Sequence, residues 1–124
     1  MTFERKWLVL GALLAGLSVA FGAFGAHGLR GWVSADLLAN FETAARYQIY
    51  HALALLAVAF VSARSAHARA ANFAGWLFVV GVVIFSGSLY VMTFTGLRWL
   101  GAITPIGGAA LIGGWISLAV AARS

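Results

Sequence analysis

Four long apolar stretches alternate with short polar ones along the 124-residue chain. They run from Trp7 to about Leu29, from about Ala44 to Val61, from about Asn72 to Thr93, and from Pro105 to about Ala121. A helix needs ~20 mostly apolar residues to cross a hydrocarbon core. Unbroken runs, with no apolar/polar alternation, point away from half-buried strands. The pattern predicts an all-α membrane protein, a four-transmembrane-helix bundle forming a single domain over residues 1–124. Residues 34–43 break the pattern: Leu37, Leu38 and Phe41 oppose Asp36, Asn40 and Glu42, with Ser34 as the N-cap. This stretch reads as a short interfacial amphipathic helix that turns into or continues as the second span.

Side-chain size varies systematically within the first run. Leu10, Leu14, Leu17, Phe21 and Phe24 recur at helical spacing, and Gly11, Ala15, Ser18, Gly22 and Gly25 follow on another face. Small residues let helix backbones approach closely in lipid. The small face is therefore expected against a neighbouring helix, the bulky face against lipid, and leucine at Gly22 or Gly25 should disrupt assembly. Gly108, Gly113 and Gly114 give the fourth span the same packing character. There Thr104 is expected to cap the helix, with Pro105 at its first position.

Composition agrees with the pattern: 63% of residues are apolar and 9% charged, against roughly 45–50% and 25% in ordinary soluble domains. A formal charge of +5 invites a nucleic-acid reading, yet the basic residues stand singly or in pairs at the ends of the apolar runs. No basic face suits a phosphate backbone, so the bilayer is the expected partner and nucleic acid is not. Arg5, Lys6, Arg64, Arg69 and Arg123 fall on one side of a four-span threading, against Arg30, Arg46 and Arg98 on the other. The positive-inside rule then expects a bacterial inner-membrane protein with both termini cytoplasmic. Arg5 and Lys6 before the first run imitate a secretory signal, but the run exceeds the ~7–15 apolar residues of such a signal. It is expected to remain as a span.

The same threading brings polar residues of all four spans toward the non-cytoplasmic face. These are His27 in the first span, Glu42, Arg46, Tyr47, Tyr50 and His51 in the second, Ser86, Ser88 and Tyr90 in the third, and Thr104 in the fourth. Glu42 and Arg46 are spaced i, i+4 with the acid first, the favourable order for a helical ion pair. Tyr47 and His51 share a face, and His27 and His51 could meet across the first two spans. Two histidines could ligate haem or a metal. However, Gly22, Gly25 and Gly28 imply tight contact, the chain has no cysteine, and no acidic cluster completes a zinc site. No metal or cofactor is expected, and hydrogen bonds to a backbone carbonyl, Tyr90 or Ser86 are the expected use of the histidines. His67 reads as solvated in the Ser62–Ala70 loop. The glycine pairs do not have phosphate-loop spacing. With Glu4, Asp36 and Glu42 the only acids, no Ser-His-acid arrangement is expected, nor is an enzyme.

Four segments, taken in order, carry a resemblance: Gly22-Ala23-Phe24-Gly25-Ala26-His27-Gly28-Leu29, Tyr47-Gln48-Ile49-Tyr50-His51-Ala52-Leu53, Phe85-Ser86-Gly87-Ser88-Leu89-Tyr90, and Ile103-Thr104-Pro105-Ile106-Gly107-Gly108. The chain resembles the domain of unknown function 423 family of small inner-membrane proteins over nearly its whole length. That resemblance implies a four-span inner-membrane protein and brings no settled activity. The leading expectation is an uncharacterised, non-enzymatic structural, accessory or assembly component, with a membrane-protein partner or a second copy beside it. A small oligomeric transporter or channel using the polar cluster is the alternative, and a haem- or quinone-binding module is the third reading.

Overall fold

The computed structural model of the protein describes residues 2–123. Four helices form in chain order, α1 (Phe3–His27), α2 (Ala35–Arg64), α3 (Ala68–Thr95) and α4 (Thr104–Ala122), with a 3₁₀ turn over Arg98–Ala102 before the last. All four are long and apolar enough to cross a membrane, and α1, at 25 residues, is roughly 37 Å long by the 1.5 Å rise per residue.

The helices extend further into the polar flanks than the apolar runs, except that α1 stops at His27, short of the run's expected end at about Leu29. α1 starts at Phe3 because Thr2 accepts the Arg5 N–H at 3.1 Å, bringing Arg5 and Lys6 into its first turns. The expected Ser62–Ala70 loop contracts to Ser65–His67, the residues on either side being helical. Hydropathy marks the hydrocarbon boundary, whereas charged residues such as Arg64 and Arg69 remain helical in the aqueous phase. The stretch at 34–43 continues directly into the second span, since Ala35–Arg64 is one uninterrupted helix. Ser34 holds the N-cap position, but its hydroxyl donates to Asp36 Oδ1 at 2.6 Å instead of capping. Thr104 is likewise no cap: α4 begins at Thr104, and the hydroxyl pairs with Ser88. Pro105 lacks an N–H, so that turn has one donor fewer to satisfy. Two turns need glycine. Gly96 (φ +72) ends α3, its N–H bonding to Met92 O at 2.8 Å, and Gly31 (φ +86) reverses the chain between α1 and α2.

Each helix packs along the next in the chain, while α1 and α4 share no packed interface. α2 and α3 are thus central and α1 and α4 flank them, exposing residues such as Leu13, Val19, Ile112 and Ile116. The core holds Trp7, Leu55, Val58 and Phe78, all fully buried. In lipid, close van der Waals fit, with hydrogen bonds, holds such helices together.

The seam of α1 differs from the two-face reading of its sequence. The buried residues are Trp7, Gly11, Ser18 and Gly25, while Leu10 and Leu14 pack against the core. Phe21 meets Tyr90 edge to face, with ring centroids 5.1 Å apart. Trp7, Gly11, Leu14, Ser18, Phe21 and Gly25 form an alternating 4-3 series, so large and small residues share one seam, as in a left-handed coiled coil. A Cβ on Gly11 would lie 2.8 Å from Ala52 O, and one on Gly25 would lie 2.8 Å from the Phe41 ring. Ala15 and Gly22 rotate to its edge. Ala15 is half-buried, and nothing lies within 4 Å of a Cβ on Gly22. The expectation that Gly22 is packed against a neighbour within the chain is therefore corrected.

On α4, Gly114 fits against Phe78, with a Cβ 2.7 Å from the ring, but Gly108 and Gly113 have only ordinary room, 3.8 and 3.5 Å. The tightest approach uses glycines that the spacing did not single out. A Cβ on Gly107 would lie 2.4 Å from Phe85 N, and one on Gly81 would lie 2.5 Å from the Leu111 side chain and 3.1 Å from Gly107 O. Gly107→Ala should thus force α3 and α4 apart, costing roughly 1–3 kcal/mol by overpacking. Gly16→Ala, where a Cβ meets nothing within 4 Å, should be close to neutral. Thermal unfolding of both variants in the same detergent checks this, and equal midpoints would contradict it.

Candidate functional site

Polar residues of the spans form a set of hydrogen bonds, several of them separate from one another, that ties helix to helix. At its centre is Gln48, 3% exposed. Its Nε2 donates to Leu14 O of α1 at 3.0 Å, and its Oε1 accepts from Tyr90 Oη of α3 at 2.6 Å. Leu14 O also accepts the buried Ser18 hydroxyl at 2.8 Å. Ser86 donates to Ala44 O of α2 at 2.7 Å, and Ser88 and Thr104 join α3 to α4 at 2.6 Å. Thr93 donates to Leu89 O at 2.8 Å, with Leu37 O of α2 as a second acceptor at 3.3 Å. Among the described residues, no buried side-chain nitrogen or oxygen lacks a partner. This closure suits hydrocarbon, where water cannot satisfy a spare polar group.

His51 lies at mid-helix in α2. Its Nδ1 is 2.7 Å from Tyr47 O, and its Nε2 accepts Trp115 Nε1–H of α4 at 3.1 Å. A carbonyl only accepts and an indole N–H only donates, so the ring is the neutral tautomer with its proton on Nδ1. Phe78 and Trp115 enclose it, with centroids 5.5 and 5.8 Å away, and Tyr47 stacks at 6.2 Å. Neither nitrogen is free to ligate a metal or haem without breaking a bond. The anticipated meeting of His27 and His51 does not occur. His27 is exposed in the last turn of α1, whereas His51 faces α3 and α4. Among the described residues, no three of His, Cys, Asp and Glu gather into a candidate metal site.

Other members of the expected cluster also separate. Tyr47 stacks on Phe85 at 4.6 Å while partly exposed, and Tyr50 is exposed beside it. Glu42 and Arg46 are both exposed and form no ion pair with each other. They border an open recess of about 230 Å³ between α1 and α2, shared with Ser18, Gly22, Ala45 and Ile49. The ion pair between described residues is instead Arg98–Asp36. It clasps the 3₁₀ turn to the start of α2 at the end opposite the termini. Arg98 and Ser34 hold the Asp36 carboxyl below its ordinary 3.8, at about 2. A lowered carboxyl pKa makes the clasp complete above the ordinary value and opens it as the pH falls through about 2.

Sequence spacing missed Gln48, Trp115, Asp36 with Arg98, and a clamp at the other end. In that clamp Asn72 Oδ1 accepts from Lys6 Nζ at 2.9 Å and from Trp7 Nε1 at 3.2 Å. Lys6 also lies over the Trp7 and Trp76 rings, 4.5 and 5.0 Å from their centroids. The available signal was residue type: a glutamine deep in an apolar run must find partners, whatever its spacing.

Two hollows border the network. Phe21, Phe24, Phe41, Tyr90 and Phe94 line one of about 170 Å³ near the Gly31 turn. A groove of about 260 Å³ between α1 and α3 has Gln48, Ser86 and Tyr90 among its lining.

The profile of the family described as protein of unknown function (DUF423) matches residues 21–108, a span holding most of this network. The chain belongs to the DUF423 family. It is 47% identical over 118 residues to the UPF0382 membrane protein YwdK of Bacillus subtilis, covering 95% of this chain and 96% of that one. It is 48% identical over 117 residues to a UPF0382 membrane protein of Staphylococcus aureus, covering 94% of each. It is 47% identical over 116 residues to one of Staphylococcus haemolyticus, covering 94% and 93%. No solved structure matches. The DUF423 match takes in the α2 and α3 sides of the network and stops short of Trp115.

Two measurements check this geometry. Nitrogen-15 NMR should find the His51 proton on Nδ1, and Trp115→Phe should shift the Nε2 resonance by removing its donor; an Nε2-protonated ring would contradict the assignment. In a carbon-13 titration, Arg98→Ala should raise the Asp36 midpoint from about 2 toward the ordinary carboxylate range. An unmoved midpoint would remove Arg98 as the cause.

Proposed function

We propose that this membrane protein is a non-catalytic structural, accessory or assembly component of the bacterial inner membrane, with both termini in the cytoplasm. The observation that carries this reading is the use made of the polar groups. Gln48, Tyr90, Ser86 and His51 spend their hydrogen bonds on joining helices, leaving no ordered set of free donors and acceptors around a reacting centre. Conserving shape in lipid is what such a closed network does well. The transporter alternative would use a polar track across the bilayer. Against that, the buried residues toward the termini from His51 include Leu55, Val58, Ala59 and Ala74, all apolar.

The orientation rests on Arg5, Lys6, Arg64, Arg69 and Arg123 standing at the end that holds the termini, against Arg30, Arg46 and Arg98 toward the other. Reporters active on one side only, fused to either terminus, should both report the cytoplasm; a C-terminus outside would overturn the topology. Tagged protein extracted with mild detergent after in-membrane cross-linking should carry a defined membrane-protein neighbour in fixed ratio. Recovery without any neighbour, together with solute flux in vesicles that Arg46→Ala abolishes, would replace this reading with the transporter.

A further inference from the structure

The recess beside Gly22 combines features that no contact within the chain uses. Glu42 and Arg46 stand one helical turn apart on the exposed face of α2, about 6 Å along the axis, and neither has an ion-pair partner among the described residues. Across the recess Gly22 offers bare backbone, with room for an added side chain. The level of Ser18 and Gly22 is five to nine residues from the His27 end of α1, roughly 8–14 Å below it. Charges at that depth are costly in lipid unless paired.

We propose that this face is the contact between two copies of the chain, related by a two-fold axis along the membrane normal. Each copy carries one carboxylate and one guanidinium, so the patch is neutral and complementary to itself. A two-fold contact sets Glu42 of one copy beside Arg46 of the other, and the reverse, in a single operation. Arg46 lies a turn deeper, and its long side chain spans that turn toward the carboxylate. Gly22 lets the α1 backbones approach at the seam. A phospholipid headgroup offers similar charges, but its phosphate belongs at the bilayer surface, and the recess lies well below the end of α1. The dimer does not depend on the accessory role proposed above.

The experiment uses the full chain in native-lipid nanodiscs. Glu42→Arg and Arg46→Glu, made separately, should each lose dimer at least tenfold at fixed protein-to-lipid ratio. Mixed with different tags, the two variants should recover a heterodimer, and the Glu42→Arg/Arg46→Glu double variant should regain the homodimer. A pair within one chain cannot produce that heterodimer. The chain holds no cysteine, so Gly22→Cys in otherwise native protein adds one thiol and needs no charge change to survive folding. It should form a disulfide dimer on mild oxidation, while Val83→Cys on the exposed side of α3 should not. A monomeric parent chain, equal cross-linking at both positions, or dimerisation unaffected by either charge reversal would overturn the proposal. So would a monomer carrying bound phospholipid that Glu42→Arg releases, which would assign the recess to a headgroup.

Discussion

A primary amide inside a hydrocarbon layer has no water to bond with, and the Gln48 side chain meets that constraint by reaching two other helices. One end takes a main-chain carbonyl of α1, the other a tyrosine hydroxyl of α3. Apolar surface gives little preference for a neighbouring helix over a lipid tail, so a directional bond of this kind selects one arrangement among many of similar packing. It also explains why α1, a flanking helix that packs mainly on α2, keeps a defined relation to α3. Phe21 against Tyr90 and Trp7 against Gly75 flank the bond on either side along α1. Ser86 and Thr93 repeat the principle between α3 and α2, Trp115 between α4 and α2, and Ser88 with Thr104 between α3 and α4.

The four spans were legible because bilayer thickness imposes a length that any apolar run reveals. The family was legible in four short segments. The partners of the polar residues were less so, and the reason is physical. Leu14 O and Ala44 O, the acceptors for Gln48 and Ser86, are main-chain atoms that residue identity does not advertise. Periodicity also tells which residues share a face, not which face meets a neighbour. Gly11, Ser18 and Gly25 sit in the seam, but Gly22 on the same small stripe falls outside it. Glu42 and Arg46 had ideal spacing for an ion pair, yet the charges that pair are Asp36 and Arg98, brought together only when the chain returns after α3. Trp7, which opens the first apolar run, is fully buried over Gly75, a contact that its position in the run does not reveal.

Inside and outside are thus used differently. The interior is closed, with glycine contacts between α3 and α4 and satisfied hydrogen bonds from α1 through α4. The lateral surface keeps an open recess with two charges unpaired among the described residues, and a groove between α1 and α3. Such a division suits a protein whose work is done by association within the membrane, because its rigid body fixes where the outward features stand. Rigidity and the proposed association are separable: the first belongs to Gln48 and its partners, the second is proposed for the α1–α2 edge.

The central claim, that Gln48 joins three helices as one structural unit, is tested most directly by a double-mutant cycle of Gln48→Leu and Tyr90→Phe, with reversible unfolding measured in bicelles. Each substitution should destabilise the bundle by about 1–2 kcal/mol, and the pair should cost less than the sum by roughly 0.6–1.7 kcal/mol, the range of interhelical hydrogen bonds in membranes. Strictly additive losses, or single variants as stable as the parent chain, would contradict it.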